Sequence, residues 1–111
     1  MISEFSSRGP NTIVPEILKP DLLAPEETIM ASWTGVMPSA MIDNDFISVE
    51  YNFISGTSVS CAVVVGIATL MRNIHPDWSP AAIRSTMMTT ATSLDHNNRP
   101  IYNSNFQQPG T

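Results

Sequence analysis

Ser55-Gly56-Thr57-Ser58-Val59-Ser60-Cys61 decides how this chain is read, because a glycine turn here opens directly onto residues 62–71, the most apolar run in the sequence. A hydroxyl is thereby placed at a helix start. Backbone N–H groups are unpaired in a first helical turn and the helix dipole is positive there, so an oxyanion forming beside Ser58 would meet preorganised donors. The same residue types have a second meaning, since Ser, Thr and Gly ahead of an apolar run also make a helix N-cap. The residues alone leave both readings open.

Working outward from this turn, residues 47–54 alternate loosely between apolar and polar, as a half-exposed strand does, and deliver the chain to Gly56. Beyond the turn, Val59 and residues 61–71 are apolar nearly all round and predict a buried core helix, with Gly66 as a point of close backbone approach and Cys61 as a buried thiol. Ile74-His75-Pro76 stops that helix, and Ser79-Pro80 starts a second with serine at N-cap and proline at N1. Ile83, Met87, Met88 and Ala91 give the second helix its inward face, to an end near Thr92. Upstream, Pro15, Pro20 and Pro25 forbid a helix, residues 21–24 read as a brief buried strand, and residues 28–33 as another. Residues 95–100 form a polar turn, and 106–111 a terminal coil.

The chain of 111 residues has room for one small core. Charged residues are only 14% of it, against about 25% in an ordinary soluble domain, so its surface is adapted to lie inside something larger. A net charge of -5, with the five basic residues scattered, excludes a phosphate-tracking face and hence nucleic acid. One cysteine gives neither a disulfide framework nor a zinc site, and Asp43, Asp45 and Glu50 form no calcium loop. No metal or cofactor is expected. The N-terminus has no basic and apolar leader, and the run 62–71 is about half of the ~20 residues needed to span a bilayer. A helix apolar on all sides must be surrounded, so the first helix implies a missing sheet or a partner chain.

Five ordered blocks then carry a resemblance: Phe5-Ser6-Ser7-Arg8-Gly9-Pro10-Asn11, Ile17-Leu18-Lys19-Pro20-Asp21-Leu22-Leu23-Ala24-Pro25, the Ser55–Cys61 block, His75-Pro76-Asp77-Trp78-Ser79-Pro80-Ala81-Ala82-Ile83-Arg84-Ser85, and Met88-Thr89-Thr90-Ala91. The chain resembles the C-terminal part of the catalytic domain of subtilisin-like serine proteases, nearest to plant subtilases of the cucumisin type. The resemblance implies an α/β fold, a partial subtilisin-like three-layer arrangement of short strands and two helices, the first a buried apolar helix starting at the nucleophile. Residues 1–111 would then be an incomplete C-terminal segment of a peptidase S8 catalytic domain.

The resemblance makes Ser58 the nucleophile, with its own N–H as one oxyanion donor and with Gly56 and Thr57 in support. The family's activating histidine, orienting aspartate and oxyanion asparagine precede the serine, and none is matched in residues 1–55, which hold Asp21, Asp43 and Asp45 but no histidine. His75 would lie ~25 Å from Ser58 along a continuous helix at ~1.5 Å per residue, out of reach as a base. His96 falls in a polar turn to which the resemblance gives no catalytic role, although an antiparallel second helix leads back towards Ser58. The sequence departs from the family where Val59 replaces methionine, Ala62-Val63 replaces Pro-His, and Glu26 replaces a glycine after Ala24-Pro25. If Glu26 needs a positive φ, that exchange costs roughly 1 kcal/mol.

The implied function is serine endopeptidase action through an acyl-enzyme on protein or peptide substrates, in an extracellular or cell-wall setting. The alternative is a catalytically inactive fragment, or a non-enzymatic module docking through its apolar helix, because no base accompanies the serine. A lone chain is expected to lack normal protease activity.

Overall fold

The computed structural model describes residues 1–36 and 49–102. Strands β1 (Ile29–Ser32) and β2 (Tyr51–Ile54) pair antiparallel, Ile29 opposite Ile54 and Ser32 opposite Tyr51. Their burial alternates with period two, so Ile29, Ala31, Asn52 and Ile54 share the half-buried face while Met30, Tyr51 and Phe53 lie on the open one. Both expected strands are thus present but short, and residues 47–48 of the second lie outside the described residues, as do Met37, Met41, Asp43, Asp45 and residues 106–111. The strand expected at residues 21–24 does not form. Its flanking Pro20 and Pro25 carry no N–H, and extended chain without ladder bonds results.

Helix α1 (Thr57–Ile74) follows β2 after only Ser55 and Gly56, and α2 (Pro80–Thr90) follows α1. The end of α1 is set by Pro76, which disfavours helical φ/ψ at His75; that residue turns out at φ -123° while its N–H still reaches the Met71 carbonyl at 2.8 Å. The His75 ring stacks on Trp78, centroids 4.0 Å apart. Arg72 donates from Nη1 to the Trp78 carbonyl, a favourable position for a cation at the negative end of α1. Helix α2 begins as expected: Ser79 Oγ accepts from the Ala82 N–H at 3.2 Å and Pro80 occupies N1. It ends at Thr90, slightly before the expected Thr92.

The upstream loops are joined to these elements at particular points. Gly9 lies so close to Lys19 that a Cβ there would collide with the Lys19 carbonyl, so the first two sequence blocks pass in close approach at this point. Asp21 pairs with Lys19 and, at 4.0 Å, with Arg84 of α2. The Ile2 N–H donates to the Tyr102 carbonyl at 2.8 Å.

The structure corrects the expectation of a buried first helix. None of the residues of α1 is buried, and Val65, Ile67, Leu70 and Ile74 are between 46% and 69% exposed. Two four-residue strands and one short helix are too little to surround an 18-residue rod. Ile83 is the single buried hydrophobic residue among those described, and of the rest of its face Met87 is half-buried while Met88 and Ala91 are exposed. The radius of gyration, 17.2 Å, exceeds the ~13 Å of a compact domain of this size. Two smaller expectations fail for the same reason. Cys61 is exposed, and a Cβ added at Gly66 would meet nothing within 4 Å.

Candidate functional site

The junction between β2 and α1 places Ser58 in the first turn of the helix, one residue after Thr57. Gly56 is the N-cap, at φ 149° and ψ 157°, a conformation open to glycine alone. Because the cap is a glycine, no side chain caps α1, and the serine is not used as a capping hydroxyl. The N–H groups of Val59 and Ser60 reach back to the Gly56 carbonyl, at 2.9 and 3.4 Å. Those of Thr57 and Ser58 have no hydrogen-bond acceptor among the described residues, and both side chains are exposed. The turn therefore presents a free hydroxyl beside free backbone donors at the positive end of a helix.

Neither histidine is joined to this hydroxyl. His75 stands at the opposite end of α1, roughly 25 Å along the helix at ~1.5 Å per residue, with its ring against Trp78. His96 lies in the turn closed by the bridge between Leu94 and Pro100, where its Nε2 meets Asn97 Nδ2 at 3.0 Å. That turn is organised by Asp95, whose carboxylate accepts from the N–H groups of Asn97 and Arg99 and pairs with the Arg99 guanidinium. The Arg99 N–H, foremost, holds Asp95 below the usual carboxylate range. Asp21 is likewise lowered, first by its hydrogen bond from Lys19.

Next to the serine turn lies a cavity of about 330 Å³, lined among others by Leu22, Ala24, Glu26, Thr57, Ser60 and Cys61. Ser58 is not among its lining residues. The condition for backbone strain at Glu26, a positive φ, is not met: the left-handed non-glycine residues among those described are Thr28, at φ 54°, and Asn98, at φ 57°. Glu26 is instead buried, at 8% exposure, with its Oε2 3.2 Å from Ser60 Oγ. No local pattern signals this contact, since the partners lie 34 positions apart along the chain.

The subtilase family model matches residues 1–107, nearly the whole chain. The chain belongs to the subtilase family. It is 49% identical over its full length to the subtilisin-like protease SBT1.7 of Arabidopsis thaliana, covering 15% of that protein. It is 51% identical to SBT1.4 of the same plant over 90% of the chain, and 50% identical to a subtilisin-like protease of Glycine max over 91% of it, covering 13% of each relative. This subtilase chain thus spans about one-seventh of the relatives it matches. By length and composition α1 is long and apolar enough to cross a membrane, more than the run 62–71 implied, because the helix extends through both flanks. The core helix of a soluble protein passes the same test, so length and composition do not by themselves mark a membrane span.

Proposed function

We propose that this subtilase chain, residues 1–111, is the nucleophile-bearing C-terminal segment of a serine endopeptidase catalytic domain, acting on protein or peptide substrates. Ser58 Oγ attacks the scissile carbonyl carbon, its proton passes to a base, and the carbonyl oxygen becomes an oxyanion facing the free N–H of Ser58. Collapse of the tetrahedral species breaks the C–N bond, the base returns the proton to the leaving amine, and water then releases the acyl group by the same route. Gly56 sets the turn, and Thr57 extends the donor edge of the helix start. The observation that carries this reading is the free hydroxyl and free N–H of Ser58 at the uncapped start of α1. The base is an imidazole from outside this sequence, since both of its histidines are engaged elsewhere.

Two experiments test it. The isolated chain should show negligible labelling of Ser58 by a fluorophosphonate, and rapid stoichiometric labelling abolished by Ser58→Ala would overturn the requirement for an outside base. Splicing the chain in place of the matching segment of a similar subtilase should give peptide turnover that Ser58→Ala removes. Turnover that survives the substitution would overturn the nucleophile assignment.

The exposed face of α1 favours a second, non-enzymatic reading, in which the chain docks through Val65, Leu70 and their neighbours onto another polypeptide without forming a catalytic site. A purified chain that stays monomeric, cooperatively folded and free of bound apolar dye would exclude it.

A further inference from the structure

The segment that leads into β1 also grips the turn that bears Ser58. The Gly56 N–H donates to the Glu26 carbonyl at 2.9 Å, and the Thr28 N–H donates to Ser55 Oγ at 2.9 Å. Ser60 Oγ lies 3.0 Å from the Ala24 carbonyl and 3.2 Å from Glu26 Oε2, so its one hydroxyl proton is shared between two acceptors on the same segment. Glu26 is 8% exposed, and a carboxylate withdrawn from water to this extent needs a compensating interaction. Helix α1 has the complementary need. Its N-cap is a glycine, no side chain caps it, and its first turn carries no acid. A carboxylate at a helix N-terminus balances the positive end of the dipole. Thr28 adds a separate sign of constraint, because a β-branched residue at φ 54° is kept there only by its surroundings.

We infer that Glu26 is a positioning residue for the Ser58 turn. Its carboxylate, held by the Ser60 hydroxyl beside the first turn of α1, ties the helix start to a distant loop and fixes the angle at which β2 hands Ser58 to the helix. The catalytic consequence rests on the reading of Ser58 as nucleophile, but the rigidity of the turn is measurable without any activity.

The test is amide hydrogen exchange, read by NMR, on the full 111-residue chain and on Glu26→Ala, Glu26→Gln, Ser60→Ala and the double variant Glu26→Ala with Ser60→Ala. Protection at Gly56, Val59 and Ser60 should fall about tenfold in Ser60→Ala, which also removes the bond to the Ala24 carbonyl, and less in Glu26→Ala, while the double variant should fall little below Ser60→Ala, because the Glu26 contact is already lost there. Glu26→Gln, which keeps an acceptor oxygen but no charge, should lose part of that protection. Amides of α2 should be unchanged. Losses that are additive, equal in α2, or absent at Gly56 overturn the inference, as does a parent chain with no protection at these amides. In the spliced enzyme Glu26→Ala should lower kcat about tenfold with KM unchanged, whereas a rise in KM alone counts against positioning. If exchange behaves as stated while Ser58→Ala leaves turnover intact, the nucleophile reading fails and the Glu26 contact stands.

Discussion

Two glycines at the ends of one argument should respond to alanine with opposite sign. Gly56 has φ 149° and ψ 157°, and a Cβ built there would meet nothing within 4 Å, so Gly56→Ala meets no steric obstacle beyond its own backbone. The entire cost is conformational, about 1–3 kcal/mol for a region that only glycine occupies freely. Gly66 also has open space around an added Cβ, but it sits inside α1 at helical dihedrals. Gly66→Ala should therefore stabilise the isolated chain by about 0.8–1.0 kcal/mol, the propensity difference between the two residues in a helix interior. A separation of about 2–4 kcal/mol between the variants is a hundredfold effect at its midpoint. Urea melts followed by far-ultraviolet circular dichroism should move the midpoint down for Gly56→Ala and up for Gly66→Ala, with the slope constant. In the spliced enzyme the second sign should reverse, because a helix covered on all sides leaves no room for the methyl, and overpacking costs about 1–3 kcal/mol. Stabilisation by Gly66→Ala in both settings would refute the idea that α1 is covered in the complete domain. A neutral Gly56→Ala would refute the backbone account of the turn.

Further expectations follow from single contacts. Ser79→Ala removes the cap bond to the Ala82 N–H and should cost about 1 kcal/mol, read as fraying of α2 by amide exchange with α1 unaffected. Asp95 has a lowered folded-state pKa, so its contribution is present above the ordinary aspartate value and is lost as pH falls through the folded one. Its carboxyl carbon should titrate below ordinary aspartates by NMR, and Arg99→Ala, which keeps the backbone donor, should reverse only part of that shift. Exposed Cys61 should react stoichiometrically with a thiol reagent in the native isolated chain, and slowly in the spliced enzyme; the reverse order would contradict a covered α1.

What the sequence disclosed was local. Pro76 and Ser79-Pro80 marked one helix end and the next helix start, and both lie where those residues' missing or competing hydrogen bonds require. Period-two alternation located β2, and β1 lies within residues 28–33, which read as a short strand. What stayed hidden depended on distant neighbours. The thiol of Cys61 and the surroundings of Gly66 were read as interior because an apolar run ordinarily has cover, yet nothing local states whether that cover is encoded in the same residues. Residues 21–24 were apolar enough for a buried strand, but a strand needs a ladder partner, which composition cannot name. At the site itself, the hydroxyl of Ser58 had two readings, and Gly56 as N-cap leaves the capping one without a side-chain bond. Glu26 looked like backbone strain; its meaning appears only when Ser60 is brought against it.

The exposed face of α1 and the Ser58 turn belong to one helix, which on the proposed reading of Ser58 couples folding to chemistry. Burying the remaining surface of Val65, Ile67, Leu70 and Ile74 would contribute roughly 1–2 kcal/mol each, or about 4–8 kcal/mol together. That is comparable to the whole stability of a typical domain, about 5–15 kcal/mol. Whatever covers α1 therefore decides whether the helix is held, and the same helix carries Ser58 at its first turn. An element that packs on this face must also fix where the Ser58 hydroxyl points, since the turn is tied to the helix by the Gly56 carbonyl and to the loop by Glu26. If Ser58 is the nucleophile, as proposed, covering the helix and presenting the serine to a base are a single event. Disrupting the face far from the serine, for example by Leu70→Asp, should abolish turnover in the spliced enzyme even though Leu70 lies about 18 Å along the rod from Ser58 at ~1.5 Å per residue.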